Sequence, residues 1–90
     1  GATMKAASKI LVVDDEPGIR FGIKSFLNAR GFVTEEADSC ASAREKISSF
    51  EPDLVILDYR LPDGVAPDIF PSLRVMRQTR DENIVALREQ

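Results

Sequence analysis

Three aspartates follow two short apolar segments, and their spacing suggests chemistry at one edge of a sheet. The segment 54–57 (LVIL) leads directly to Asp58, and the segment 10–13 (ILVV) leads to Asp14 and Asp15. Carboxylates are costly to desolvate, so acids that end two core strands need an offsetting interaction. Two carboxylates about 5 Å apart repel by about 3 kcal/mol at an effective dielectric constant of about 20. A raised pKa on one acid or a bound cation would relieve that repulsion.

The residue types favour a hard cation over a transition metal. The chain has no histidine and one cysteine, so an oxygen-only site for Mg²⁺ or Mn²⁺ is predicted. Asp14 and Asp15 form a natural metal platform. Asp58 stands alone on its strand and is the better candidate for a nucleophile toward a phosphoryl group. The alternative, which would be favoured for any single Asp, is that these acids only end strands and cap helices.

Alternating strands and helices are predicted to position these acids. Segments of this length imply βαβ units and a parallel sheet, and right-handed crossovers give the strand order 2-1-3. Ligands of such sheets bind beyond the carboxyl ends of the strands, where the aspartates lie. Strands are predicted at 9–13, 32–37 and 54–57, with 32–37 at the edge of the sheet. The first helix is predicted at 17–30, with Pro17 in its first turn and Gly31 after its end. The second helix is capped by Asp38 or Ser39, and its apolar face consists of Cys40, Ala43, Ile47 and Phe50.

The pattern after Gly64 is ambiguous. Ile69, Leu73 and Met76 share a helical face, which favours a helix that begins near Pro71. Residues 83–87 either form a fourth strand, which would make the order 2-1-3-4, or continue this helix. Continuation is favoured, so 71–90 is expected to be helical. Residues 1–8 are interpreted as an expression tag and a disordered start, and 9–90 as one domain.

Composition argues against several classes of protein. The 90 residues suit one small domain, and a net charge of −3 argues against a nucleic-acid-binding surface. No apolar run approaches the roughly 20 residues that span a bilayer, and no secretory signal follows Met4. The lone Cys40 fits a reducing compartment, so the cytoplasm is the expected location.

Two segments carry a resemblance to a known family. Residues 9–16 (KILVVDDE) and 52–64 (PDLVILDYRLPDG) resemble the receiver domain of bacterial two-component response regulators. The likeness covers residues 9 to about 75 and includes the helix–strand–helix order between the two segments. It implies a flavodoxin-like α/β fold, here incomplete relative to the five-stranded family.

The resemblance also implies a role for each acid. Asp58 would accept a phosphoryl group from the phosphohistidine of a sensor histidine kinase or from a phosphotransfer protein. Asp15 would bind Mg²⁺ directly, Asp14 would help through water, and the backbone carbonyl of Arg60 would complete the protein ligands. The segment 61–64 resembles the turn after the phosphoacceptor. Such a domain is a phosphoacceptor in signalling rather than a turnover enzyme.

The chain departs from the family pattern in its last third. Family members carry a Ser or Thr after strand four and a Lys after strand five, and both contact the phosphoryl group. Here no Lys follows Lys46, and Thr79 is the only Thr beyond Asp58. Impaired phosphorylation is therefore expected. Self-association is also expected, either by pairing of open sheet edges or through a C-terminal helix that uses Ile69, Leu73, Met76 and Leu87.

Two other functions compete with a phosphoacceptor. The first is a degenerate receiver that no longer signals by phosphate and serves as a dimerisation or docking module. The second is a metal-dependent phosphatase, which also uses an Asp nucleophile at a strand tip. That family has a second acid two residues after the first, with an apolar residue between them, and residues 14–16 (DDE) do not match it.

Overall fold

The strands and helices alternate along the chain as expected up to residue 58. The computed structural model describes residues 8–58, 60–61, 64–65, 73–78 and 83–88, with side chains described for 8–57. The elements are β1 (Lys9–Val13), α1 (Pro17–Ala29), β2 (Val33–Ala37), α2 (Cys40–Phe50), β3 (Leu54–Asp58), β4 (Arg60–Leu61), β5 (Gly64–Val65), β6 (Leu73–Gln78) and β7 (Asn83–Arg88).

The first three strands form the predicted parallel arrangement. β1 lies between β2 and β3, and both pairings are parallel, which confirms the order 2-1-3. Ile10 pairs with Thr34 on one side and with Leu54 on the other. The central strand is the most buried of the three, since residues 10–13 are all buried, as a strand covered on both faces requires.

The core on the α2 side of the sheet is closely covered. Successive residues of a strand point to opposite faces, so Leu11 and Val13 share a face with Val55 and Leu57. Cys40 and Ala43 of α2 pack against these four side chains, and both are buried. Ile47 borders the same cluster, which confirms the predicted inward face of α2.

The α1 side is less completely covered. No residue of α1 is buried, although Ile23 and Leu27 are half-buried. Ile19 and Phe26, which belong to the same predicted apolar set, are 42% and 55% exposed. The helix thus has half-buried apolar side chains, Ile23 and Leu27, and exposed apolar side chains, Ile19 and Phe26.

Both helix boundaries follow from local chemistry. Pro17 occupies the first turn of α1, where a missing N–H costs nothing. Gly31 has φ 91° and donates its N–H to the Asn28 carbonyl at 3.0 Å, while Phe32 donates to the Leu27 carbonyl at 3.2 Å. This pair of bonds is a Schellman motif, and Gly is the residue that reaches its left-handed conformation without strain.

The C-terminal segments differ from the favoured prediction. The expectation of helix over 71–90 is wrong for β6 and β7, which are strands, and the alternative of a strand at 83–87 is correct. β7 pairs antiparallel with β3, opposing Val85 to Ile56, and β6 pairs antiparallel with β7. The remaining positions of that predicted helix, and residues 1–7 of the predicted tag and disordered start at 1–8, lie outside the described residues.

The free edge of β3 explains why strands form here. Without β7, that edge would present a row of unpaired backbone N–H and C=O groups. The β-branched pair Ile84 and Val85 suits a strand, and pairing with β3 outweighs the helix propensity of Arg88 and its neighbours. Because Leu73, Met76 and Leu87 lie in strands, the predicted route to self-association through a C-terminal helix is wrong. The sheet still ends in β2 and β6, so self-association by pairing of sheet edges stays a prediction.

Candidate functional site

The carboxyl ends of β1 and β3 meet at one edge of the sheet. The parallel register pairs Val13 with Leu57. Asp14 follows Val13 directly, and Asp58 is the last residue of β3. The two backbone positions are therefore neighbours across the strand pair, as expected for acids at matching strand tips. The side chain of Asp58 lies outside the described part of the chain.

Asp14 is the buried member of the pair of acids after β1. It is 4% exposed, and its backbone N–H donates to the Ala37 carbonyl at 3.1 Å. Its Oδ1 accepts a hydrogen bond of 2.9 Å from the Glu16 N–H. A bond from a carboxylate to the amide two residues on holds the turn between β1 and α1 in one conformation. Asp14 is thus part of the framework of this turn.

Asp15 and Glu16 are exposed on the same turn. They immediately precede Pro17, the first residue of α1. The amino end of a helix carries partial positive charge from unpaired N–H groups, and this charge favours nearby carboxylates. The turn therefore displays two accessible acids, Asp15 and Glu16, beside the buried Asp14.

The donor set is chemically suited to Mg²⁺. Asp14 and Asp15 supply oxygens alone, which is what a hard divalent cation prefers. Among the residues with described side chains, no group of three or more possible ligands comes together. The predicted ligand set extends beyond them, because it includes Asp58 and the Arg60 carbonyl.

Two short strands, β4 and β5, follow β3. Arg60 pairs with Val65 and Leu61 pairs with Gly64, forming a separate two-stranded antiparallel sheet. The segment 61–64, predicted to be a turn, thus includes residues of this antiparallel pair. Arg60 begins β4 two residues after Asp58.

A second cluster near this edge consists of Arg20, Lys24 and Glu36. Helical periodicity placed Arg20 and Lys24 among the polar residues of α1 and did not indicate this cluster. In the structure, Arg20 Nε donates to Glu36 Oε1 at 2.6 Å and Lys24 Nζ donates to Glu36 Oε2 at 2.8 Å. The hydrogen bonds from Lys24 and then Arg20 hold the pKa of Glu36 below its ordinary value. The sequence holds one indication of this cluster. Glu35 and Glu36 are adjacent on β2, so their side chains lie on opposite faces of the sheet and each faces a different helix.

Arg20 also reaches the turn that carries the acids. Its Nη1 donates to the Asp14 backbone carbonyl at 2.7 Å. A shallow depression of about 280 Å³ adjoins this contact and is lined by Arg20, Glu36, Ala37, Asp38 and Ser42. The cluster therefore connects α1 and β2 with the turn after β1.

Within the described residues, no helix is both long and apolar enough to cross a membrane.

The chain matches a known family over most of its length. The model of the response regulator receiver domain matches residues 10–87. Together with the parallel 2-1-3 sheet and its acidic edge, this match shows that the chain belongs to the response regulator receiver domain family. Family membership confirms the resemblance seen in the two acidic segments and places the chain in two-component signal transduction.

Curated relatives agree with this assignment. The chain is 37% identical to the phosphate regulon transcriptional regulatory protein PhoB of Escherichia coli (strain K12) over 81 residues, which cover 90% of this chain and 35% of PhoB. It is 36% identical to sporulation initiation phosphotransferase F of Bacillus subtilis (strain 168) over 76 residues, covering 84% of this chain and 58% of that protein. It is 38% identical to the transcriptional regulatory protein KdpE of Mycobacterium tuberculosis (strain ATCC 25618 / H37Rv) over 65 residues, covering 72% of this chain and 29% of KdpE. The chain thus spans about a third of the length of PhoB and KdpE.

Proposed function

We propose that this chain is a phosphoacceptor module in which Asp58 receives a phosphoryl group while Asp14 and Asp15 hold Mg²⁺. The observation that carries the proposal is the register between β1 and β3, which makes the positions of Asp14 and Asp58 neighbours at one sheet edge. Membership in the receiver family supports it, because receiver domains of response regulators interact with histidine kinases or phosphotransfer proteins. The proposed donor is such a protein, and the proposed location is the bacterial cytoplasm.

The reaction is a transfer between two nucleophiles. A carboxylate oxygen of Asp58 attacks phosphorus, the P–N bond of the phosphohistidine breaks as the P–O bond forms, and the imidazole keeps the electron pair. Mg²⁺, when bound, neutralises charge on the phosphoryl oxygens. The metal ligands in this proposal are Asp15, Asp14 through water, Asp58 and the Arg60 carbonyl.

Two measurements test this proposal on the 90-residue chain. Calorimetric titration with Mg²⁺ should show binding by the wild type and at least about ten-fold weaker binding by Asp15→Asn. Labelling by acetyl phosphate with Mg²⁺ should modify the wild type and leave Asp58→Asn unlabelled. Labelling should be slower than in a receiver that carries the Lys and the Ser or Thr of the family, because each supplies a hydrogen bond to the phosphoryl group.

Asp53→Asn is the matched control. Asp53 precedes β3 at the opposite end of the strand, where its Oδ2 accepts the Lys9 N–H at 2.9 Å. Its carboxylate lies far along the strand from Asp58, so its loss should leave Mg²⁺ affinity and labelling unchanged. Equal labelling of Asp58→Asn and the wild type would contradict the proposal.

A degenerate module that associates with itself is the second candidate, and the exposed side of α1 favours it. Ile19 and Phe26 are seven residues apart, so they lie on one side of the helix, and they are 42% and 55% exposed. Apolar surface of this kind commonly marks an interface. In this reading, a second copy of the chain covers that side of α1.

Sedimentation velocity separates the two candidates. Under the second, the wild type should dimerise at high micromolar concentration and Ile19→Lys should be monomeric. Phe21→Lys is the control, because Phe21 is 74% exposed but points away from the side that Ile19 and Phe26 share. A monomeric wild type that is labelled on Asp58 would support the phosphoacceptor alone.

A further inference from the structure

One side chain of α1 links the proposed metal site to the second strand. The guanidinium of Arg20 donates from Nη1 to the Asp14 carbonyl at 2.7 Å and from Nε to Glu36 Oε1 at 2.6 Å. The Arg20 side chain is only 14% exposed, whereas the Glu36 side chain is 42% exposed. A single planar group therefore joins the turn after β1 to β2.

Glu36 is itself held from a second direction. Its other oxygen accepts a hydrogen bond of 2.8 Å from Lys24, one helical turn beyond Arg20. The carboxylate is therefore fixed between two cations of the same helix, and Arg20 is fixed by the carboxylate. Such a network restricts the orientation of the guanidinium more than one ion pair would.

The turn after β1 has few remaining degrees of freedom. The Asp14 N–H bonds to β2, the Asp14 carbonyl accepts from Arg20, and Asp14 Oδ1 accepts from the Glu16 N–H. The exposed Asp15 lies between the anchored residues 14 and 16. These anchors hold the backbone on both sides of Asp15 and so restrict the direction of its Cα–Cβ bond.

We propose that Arg20 is a positioning residue for the metal site, acting by fixing the Asp14 carbonyl and hence the direction of the Asp15 carboxylate. This inference rests on the proposed function, because it assigns Arg20 a role in Mg²⁺ binding. Arg20 contacts neither metal nor phosphoryl group in this role. Residues that orient metal ligands from outside the coordination sphere commonly change metal affinity by about ten-fold or more when they are replaced.

Calorimetric Mg²⁺ titration of Arg20→Gln, Arg20→Lys and Glu36→Gln tests this role. Arg20→Gln should raise the Kd for Mg²⁺ about ten-fold and Glu36→Gln about three-fold. Arg20→Lys should restore only part of the affinity, because an ammonium lacks the rigid fork that reaches two acceptors. The control is Glu35→Gln, which should leave the Kd unchanged. Glu35 has the same 42% side-chain exposure and a single Lys46 partner from the opposite helix.

Amide hydrogen exchange in Mg²⁺-free buffer separates positioning from general destabilisation. Arg20→Gln should speed exchange of the Glu16 amide about ten-fold and leave the amides of β1 and β3 unchanged. Uniform acceleration across the sheet would overturn the inference, as would a wild-type Kd for Mg²⁺ in Arg20→Gln. Those results would leave the proposed function intact. Failure of the wild type to bind Mg²⁺ would overturn both.

Discussion

The carboxylate of Glu36 shows how residue chemistry on this surface responds to pH. Hydrogen bonds from Lys24 and Arg20 lower its pKa below the ordinary value of 4.5. Because the folded-state pKa is lowered, the stabilisation is fully present above pH 4.5 and is lost as the pH falls through the lowered value. Loss of this charge would release both cations of α1.

Glu36→Gln should therefore destabilise the protein in a pH-dependent way. At pH 7 the free energy of unfolding should fall by about 1 kcal/mol or less, since Glu36 is 42% exposed and its ion pairs are screened by solvent. Urea unfolding at a series of pH values should show the wild-type and variant curves converging below pH 4.5. A difference that stays constant down to pH 3 would contradict the assignment of this titration to Glu36.

At the residue scale, the sequence indicates the three aspartates but not Arg20, which donates to the Asp14 carbonyl. Asp14, Asp15 and Asp58 stand out because carboxylates follow apolar segments. Their roles as ligands and phosphoacceptor stay predictions that the proposed titration and labelling will test. Arg20 looks like any polar residue on a helix surface, since helical periodicity does not show which strand the side chain will reach.

At the scale of the element, α2 is stabilised by the residue that caps its amino end. Ser39 caps α2 by accepting a hydrogen bond from the Ser42 N–H at 3.1 Å, and Ser42 Oγ accepts from the Ser39 N–H at 3.2 Å. This reciprocal capping box satisfies two N–H groups that a helix start would otherwise leave unpaired.

Ser39→Ala should lower the free energy of unfolding by about 1 kcal/mol, because the N-cap acceptor is lost. Thermal or urea unfolding measures this directly. Ser49→Ala, on the exposed surface near the end of α2, is the control and should be neutral or slightly stabilising, since Ala has the higher helix propensity. Equal destabilisation by both changes would show that the cap contributes little.

Elements with local signals were predicted well, and those that depend on partners were not. Pro17, Gly31 and Ser39 mark helix ends through their own backbone and side-chain chemistry, and the structure has those ends. The segments 73–78 and 83–88 contain good helix formers beside β-branched residues, so their sequences favour neither helix nor strand clearly. They form strands because β7 pairs with the edge of β3 and β6 pairs with β7.

At the scale of the whole molecule, β7 completes the sheet by pairing on both sides. Its central residue Val85 lies opposite Ile56 of β3 and Arg77 of β6. β6 is the last strand in the order, and its register shifts between Val75 and Arg77, so Met76 lies at an irregularity.

Val85→Pro should lower the free energy of unfolding by about 1–3 kcal/mol, because proline cannot donate to the ladder in a strand paired on both sides. Urea unfolding followed by circular dichroism tests this. Met76→Pro is the control and should cost less, since edge strands and bulges tolerate proline. If the two substitutions cost the same, β7 is not an interior strand of a five-stranded sheet.

The parallel 2-1-3 sheet, its two helices and the aspartates at the strand tips follow from patterns that lie within short segments of the chain. Periodicity, capping residues and buried apolar runs act locally, so they can be interpreted from the sequence alone. The pairing of β7 with β3 and the contact of Arg20 with Asp14 join residues that local patterns do not relate. Only the tertiary structure shows these contacts, because folding brings the backbone groups and charged side chains to their partners.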